Sequence, residues 1–249
     1  MKKRSLLCFF VLLATPVLAL ADNATPVSSN IGFSSDYLYR GITQTGGNPA
    51  IQGGGDYVHT GGFYAGAWGS NISWVNASSA SLELDVYLGL KNSIAEDLNY
   101  DVGYLRYNYP GVYATAAIKA DTDEIYGAIN WKWLTAKYSR SLSNLFGVSN
   151  SVGSSYIDLS GSYEMEDAGF TLSAHYGRQT VSGAGNSGLT YSDYKLGVSK
   201  DFGGYVAGLA YSATDTKKGI GELWNIGLAD GSDLDLGRNR AVLSVTHSF

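Results

Sequence analysis

The stretch Leu82-Glu83-Leu84-Asp85-Val86-Tyr87-Leu88-Gly89-Leu90-Lys91 alternates without a break. In an extended chain Leu82, Leu84, Val86, Leu88 and Leu90 share one face, and Glu83, Asp85, Tyr87 and Lys91 share the other. Turning the aliphatic face inward would press two carboxylates and Lys91 into whatever lies outside. If that is hydrocarbon, each charge near the bilayer centre costs about 2–4 kcal/mol when basic and less when acidic. A one-residue slip would incur all of these costs together, so the register is strongly specified. The pattern recurs from Ile157 to Glu164, from Phe170 to Tyr176 and from Tyr194 to Lys200. It returns in the final run, Asn239-Arg240-Ala241-Val242-Leu243-Ser244-Val245-Thr246-His247-Ser248-Phe249, where every second residue back to Ala241 is apolar except His247. Period two with a polar second face suits a strand between lipid and water, and it suits a soluble sandwich as well.

The connections separate these two readings. Alternation and turn residues place strands at 30–42, 50–59, 63–70, 81–91, 98–109, 122–130, 133–142, 155–164, 169–178, 190–200, 204–213 and 239–249. Their lengths lie near the roughly 9–11 residues that a tilted membrane strand needs. Odd-numbered connections are long or polar: 71–80, 110–121, 143–154, 179–189 and 214–238. Even-numbered ones are short: 60–62, 92–97, 131–132, 165–168 and 201–203. A membrane barrel with periplasmic termini sorts its loops this way, and a sandwich has no reason to. The expected fold is all-β, a transmembrane antiparallel β-barrel of twelve strands. With 32 glycines, 19 tyrosines, 4 prolines and no linker or low-complexity tract, the chain reads as one domain.

The start of the chain fits export. Lys2, Lys3 and Arg4 precede an apolar run to Leu20, and Ala19-Leu20-Ala21 offers a small-x-small cleavage site. Residues 1–21 are therefore expected to be a signal peptide and residues 22–249 an outer-membrane β-barrel. The apolar run is short for a spanning helix. Leu6 and Leu7 before Cys8 argue against a lipoprotein site. Cys8 would leave with the signal, so no disulfide would hold the mature domain. Losing three basic residues leaves 14 against 22 acidic ones, a net charge of −8 that argues against nucleic-acid binding.

Asp36-Tyr37-Leu38-Tyr39-Arg40-Gly41-Ile42-Thr43-Gln44-Thr45, then Pro49-Ala50-Ile51-Gln52-Gly53-Gly54-Gly55-Asp56-Tyr57, then Gly62-Phe63-Tyr64-Ala65-Gly66-Ala67-Trp68-Gly69-Ser70-Asn71 closely resemble the start of the proteobacterial TorF family of porins, outer-membrane proteins of unknown function. Glu83-Leu84-Asp85, Tyr100-Asp101-Val102-Gly103-Tyr104, Glu124-Ile125-Tyr126 and Tyr191 to Lys200 extend the likeness over nearly all of the mature chain, with Arg40-Gly41 its most specific part. The resemblance implies an exported barrel and a pore. It brings no catalytic residues. His247 departs from the aromatic or aliphatic residue common at that place in terminal strands, which would weaken recognition by the barrel assembly machinery without changing the fold.

Parity assigns a pore-lining set: Asp36, Arg40, Asp56, Glu83, Asp85, Lys91, Asp101, Glu124, Lys137, Asp158, Glu164, Asp193, Lys195 and Arg240. Nine are acidic and five basic, and a net negative lining favours cations. The opposing reading is that these charges pair into salt bridges and plug the interior. The expected function is passive diffusion of small polar solutes or ions, with a structural or adhesive barrel and a barrel-embedded hydrolase as its rivals. His59, His175 and His247 are the only histidines, and His175 shares an inward face with Ser173 and Thr171. Nucleophilic catalysis needs a third, orienting group, so no catalytic residue is assigned. No cofactor or metal is expected: Asp230, Asp233 and Asp235 lack the spacing and terminal Glu of a calcium loop. Tyr37, Tyr39, Tyr57, Tyr104, Tyr138, Tyr163 and Tyr211 are expected in interfacial girdles, with Tyr87, Tyr126 and Tyr191 inward. Expected partners are outer-membrane lipid, periplasmic chaperones and the assembly machinery during biogenesis, and small polar solutes.

Overall fold

A computed structural model describes residues 26–75, 78–217, 224–227 and 233–249. The expected signal peptide, residues 1–21 with Cys8, and Asp230 of the acidic loop lie outside the described residues. Twelve strands form the wall: β1 Val27–Ser34, β2 Ala50–Val58, β3 Phe63–Asn71, β4 Leu82–Ala95, β5 Leu98–Asn108, β6 Thr122–Trp131, β7 Leu134–Ser141, β8 Ser155–Met165, β9 Phe170–Thr180, β10 Tyr191–Asp201, β11 Tyr205–Thr214 and β12 Arg240–Ser248. Each pairs antiparallel with its sequence neighbours, and β1 pairs with β12 from Asn30↔Ser248 to Ser34↔Ser244, closing the barrel. Closure leaves no sheet edge with unpaired N–H and C=O groups, which is the condition for a sheet to lie in lipid.

The turns at the end that carries both chain termini are tight. Glu96-Asp97 links Ala95 to Leu98, and Lys132-Trp133 links Trp131 to Leu134. Asp97 and Lys132 take positive φ there, at 60° and 53°. The segments 109–121, 142–154 and 181–190, with the described parts of 72–81 and 215–239, connect the strands at the opposite end.

The outward face is apolar. Leu82, Leu84, Val86, Leu88 and Leu90 are 39–49% exposed, while Glu83, Asp85 and Tyr87 between them are buried. Ile31, Ile51, Ile125, Leu159, Leu196 and Leu243 continue the exposed belt around the wall. Water-soluble monomers rarely expose apolar patches beyond a few hundred Å², and this belt has the composition of a lipid-facing surface. On β12 the outward His247 stacks on Tyr205 at 4.3 Å and meets Phe249 edge-on at 4.6 Å, so it takes part in an aromatic cluster at the rim.

The sandwich alternative is excluded, and the strand count and loop sorting agree with the sequence reading. The first strand does not. It was expected over 30–42 but runs from Val27 to Ser34, and the chain then leaves the wall. Residues 36–45 turn into the barrel, where Leu38–Tyr39 pairs with Ile42–Thr43 as a miniature hairpin. Its two central residues, Arg40 and Gly41, have φ of 48° and 77°, the signs a type I′ turn requires. Tyr37 and Tyr39, expected in the interfacial girdle, therefore lie inside; Tyr37 is 5% exposed.

Val86 sits midway along the outward stripe of β4. Val86→Leu should fold into bilayers as the parent does. Val86→Arg should lose about 2–4 kcal/mol of folding free energy if β4 crosses near the midplane. Urea titration in lipid vesicles, followed by the heat-modifiable gel shift, measures both; normal folding of the arginine variant would mean the faces of β4 are misassigned.

Candidate functional site

In a ring of twelve strands β7 stands opposite β1, so a segment that leaves β1 and reaches β6, β8 and β9 has crossed the whole lumen. The hairpin does this through Arg40. Its guanidinium, 6% exposed, donates to both carboxylate oxygens of Glu124 on β6, at 3.0 and 2.8 Å, and to Oε1 of Gln179 on β9 at 2.7 Å. The same group lies 4.3 Å from the ring centre of Tyr156 on β8 and 4.8 Å from that of Tyr39. A planar fork matched to a carboxylate and stacked on rings is a geometry that lysine cannot supply. The Tyr191 hydroxyl on β10 donates to the Arg40 carbonyl at 2.9 Å. A Cβ at Gly41 would come within 2.6 Å of Thr214 and 2.7 Å of Asp193, so glycine is required both by the backbone sign and by the closeness of the wall.

The root of the hairpin is tied as well. Asp36 accepts from Thr43 at 2.5 Å and from Thr45 at 2.9 Å, and pairs with Arg240 of β12 at 3.2 Å. Tyr37 donates to Glu83 at 3.3 Å, and the Tyr39 hydroxyl bonds that of Tyr107 at 2.6 Å. Asp36 and Arg40 are thus inside the barrel, but an inserted segment carries them and not the wall, because the chain turns inward at 35.

Around and below the hairpin the inward faces follow a rule: tyrosines lie across glycines of the neighbouring strand and donate to carboxylates. Tyr64 is paired in register with Gly89, Tyr87 with Gly66 and Tyr126 with Gly103. A Cβ on Gly66 would fall 2.5 Å from the Tyr87 ring, and one on Gly103 would fall 2.6 Å from the Tyr126 ring. The glycines make room for the rings, and the rings cover the glycines. Tyr64 donates to Asp101 and Tyr87 to Asp56, each at 2.6 Å, and Tyr64 and Tyr126 share a hydrogen bond. Lys137 lies 3.9 Å from the Tyr126 ring centre and Lys91 lies 5.3 Å from that of Tyr64. Of the inward tyrosines, Tyr64, Tyr107 and Tyr156 escaped the sequence reading. Tyr64 stands opposite Gly89 and Tyr156 lies against Gly177, a signal visible only once the strands are paired, while Tyr107, between Asp85 and Thr122, has no such mark.

A third cluster lies on β8, β9 and β10. His175 has Asp193 at 2.9 Å from Nε2 and Asp158 at 3.3 Å from Nδ1, with Ser160 at 3.0 Å from Nδ1 and the Tyr156 hydroxyl 3.0 Å from Nε2. Each ring nitrogen of His175 thus has a carboxylate oxygen nearby, and Nδ1 also has the Ser160 hydroxyl. Ser160 donates to Asp158. Lys195 is beside His175 in register. Glu164 shares the inward parity of Asp158 but lies at the end of β8 nearer the chain termini, exposed, and not in the enclosed lumen. Glu83 and Asp85, 1% and 3% exposed, have no cation within ion-pair distance among the described residues, and Glu83 Oε2 and Asp85 Oδ1 have no hydrogen-bond partner there.

A closed, apolar-belted wall around a polar interior crossed by a hairpin makes a twelve-stranded antiparallel β-barrel of the membrane type. Two solved structures of the KdgM porin are similar in fold. The one in complex with disordered oligogalacturonate is 7% identical, with a TM-score of 0.54 over 90% of this chain and 98% of that one. The other is 8% identical, with a TM-score of 0.53 over 89% and 99%. A search of curated proteins finds no match. The chain belongs to the bacterial family of unknown function Gcw_chp, whose model matches residues 19–249.

Arg40→Met should release the hairpin and leave the wall closed. Removing one partner of a buried pair costs about 3–5 kcal/mol, so hydrogen exchange over 35–49 should quicken by roughly a hundredfold or more. Adding Glu124→Gln should restore part of the protection. Unchanged exchange in the single variant would show that Arg40 does not hold the hairpin.

Proposed function

We propose that this protein is an outer-membrane porin through which small polar solutes and ions diffuse, with weak cation preference and a passage narrowed by the inserted hairpin. The observation that carries it is the pairing of an outward apolar belt with an inward face of carboxylates, lysines and tyrosine hydroxyls. The TorF-like segments around Arg40-Gly41 support the same reading. So does the basic, apolar, small-x-small start of the chain, which fits a signal cleaved after Ala21 and a passage to periplasmic chaperones and the assembly machinery. The wall residues proposed to line the path are Asp56, Glu83, Asp85, Lys91, Asp101, Glu124, Lys137, Asp158, Asp193, Lys195 and Arg240, with Asp36 and Arg40 on the hairpin and Glu164 at the periplasmic mouth.

Oligogalacturonate, named with the KdgM structure, is a polyanion. Here acidic side chains outnumber basic ones, and Glu83 and Asp85 are not neutralised by any described cation. The lining therefore suits cations and neutral solutes better. A second reading, a structural or adhesive barrel with a closed lumen, draws support from the bonded network that Arg40 spans. A hydrolase draws less support: the Ser160 hydroxyl hydrogen is directed to Asp158 and not to His175, so a serine–imidazole relay is not set up.

Planar-bilayer recording decides between pore and closed barrel. Discrete open steps in the parent carry the pore. Their absence from both the parent and Arg40→Met carries the closed barrel. In a salt gradient the parent reversal potential should have the cation-selective sign. Glu83→Gln with Asp85→Asn should fold normally and bring the permeability ratio to unity or below, and an unchanged potential would remove these two carboxylates from the path.

A further inference from the structure

Three strands that run toward the loop end finish on the same pair, a tyrosine and then an arginine two residues on: Tyr104 and Arg106 on β5, Tyr138 and Arg140 on β7, Tyr176 and Arg178 on β9. Each arginine lies within two residues of its strand's end and shares the outward parity of Val102, Leu134 or Leu172. The tyrosines thus mark the edge of the apolar belt, and the arginines stand one step beyond it, where lipid headgroups begin. Arg106 is neutralised by its own chain, with Asp123 at 2.9 Å and Asp121 at 3.7 Å. Arg140 and Arg178 are exposed, and no carboxylate lies within ion-pair distance of either among the described residues. The loops that follow them, 142–154 and 181–190, hold no acidic residue in a chain that has 22, so this sector of the rim stays basic. A Cβ on Gly153 would lie 3.1 Å from the Arg140 guanidinium, which therefore rests on the loop backbone. Arg178 donates to Ser192 Oγ on β10 at 2.9 Å, and Asp215 beside it accepts from the Ser192 amide. Ser155 of β8, in register with both Arg140 and Thr180, continues the polar face between the two arginines.

We propose that this outward face of β7, β8 and β9 binds a lipid headgroup that carries two phosphate monoesters, one for each arginine. Charge and shape select the phosphate: a monoester brings about −1.5 to −2 charges and three acceptor oxygens, and the guanidinium fork matches it. Spacing selects two of them. From Arg140 to Arg178 the path crosses two strand spacings and two residues of rise, so their α-carbons stand roughly 12 Å apart. The Arg178 head also leans to β10, away from Arg140, so two separate phosphates suit the pair better than one shared between them. The belt selects a lipid over a free anion. Directly below the arginines, Tyr138, Ile157, Leu159 and Tyr176 are exposed, a surface for the acyl chains of the same molecule. The site rests on the belt being lipid-facing and not on conduction.

The test uses the whole folded barrel in dodecylmaltoside micelles, titrated with bisphosphorylated lipid A and with monophosphoryl lipid A of the same acyl chains, and counts bound lipid by native mass spectrometry. The expected result is a saturable one-to-one adduct, about tenfold tighter for the bisphosphorylated form. Arg140→Gln and Arg178→Gln should each weaken that adduct roughly three- to tenfold and erase the difference between the two lipids. If a glutamine variant does not fold, the two lipids compared on the parent still decide. Lys200→Gln, which removes a charge at the opposite end of the barrel, should change neither affinity. Millimolar inorganic phosphate should not displace the lipid. The heat-modifiable gel shift in lipid vesicles reports separately whether the barrel inserts, so a failure of the membrane reading is told apart from a failure of this site. Equal affinity for the two lipids, unchanged binding in both arginine variants, an equal loss in Lys200→Gln, or displacement by inorganic phosphate would overturn the proposal.

Discussion

Lipid offers no hydrogen bonds, so a sheet placed in it must pair every N–H and C=O with another strand. Twelve strands can do that only by closing, and closure then dictates the rest of the molecule. Alternate residues go inward by geometry, whatever their chemistry. The outward set can be simple, and it is: leucine, valine, isoleucine and aromatic rings. The inward set inherits a harder problem. A wall of eight strands is nearly filled by its own side chains, and one of sixteen to eighteen leaves a water channel. Twelve strands fall between, and the interior is occupied by large rings and by a loop borrowed from the rim.

That filling follows one economy. Tyrosine supplies both volume and a donor, glycine supplies the floor on which the ring lies, and a carboxylate takes the hydroxyl hydrogen. Tyr64 with Gly89 and Asp101 is one case, and Tyr87 with Gly66 and Asp56 is another. The arrangement gives Asp56 and Asp101 a hydroxyl donor each, in addition to the lysines nearby. Glu124 is handled differently, by Arg40 from across the lumen, because no wall cation reaches it within ion-pair distance among the described residues.

The wall was legible because its signals are local: period two over ten residues, and turns that alternate short and long. Parity also placed Glu83, Asp85, Glu124, Asp158 and Asp193 on the inner side. The hairpin was illegible for a physical reason. From Tyr37 to Thr43 the chain keeps β-favouring residues, Tyr37, Tyr39, Ile42 and Thr43, so nothing in its composition marks the departure from the wall. The available cue was Arg40-Gly41, a pair able to take two positive φ angles in succession, flanked downstream by Gly46-Gly47-Asn48-Pro49. Tyr37 and Tyr39 were misplaced along with it, since an amphipathic ring suits a lipid–water boundary and a polar interior equally. Which carboxylate meets which cation depends on distant contacts, Arg40 with Glu124 and Asp36 with Arg240, and local pattern holds no record of them.

The hairpin also imposes an order of events. Its anchors are Glu124, Gln179 and Tyr191, and the bonds to them span 84, 139 and 151 residues. Counted from β1, Glu124 lies half-way round the wall and Gln179 and Tyr191 lie on β9 and β10, yet the hairpin belongs to the segment that follows the very first strand. A chain that assembles strand by strand from β1 must therefore hold residues 36–45 unanchored until β10 is in place. Closure of the β1–β12 seam and seating of the hairpin become consecutive late steps, the second a check that the first has brought the right walls opposite one another.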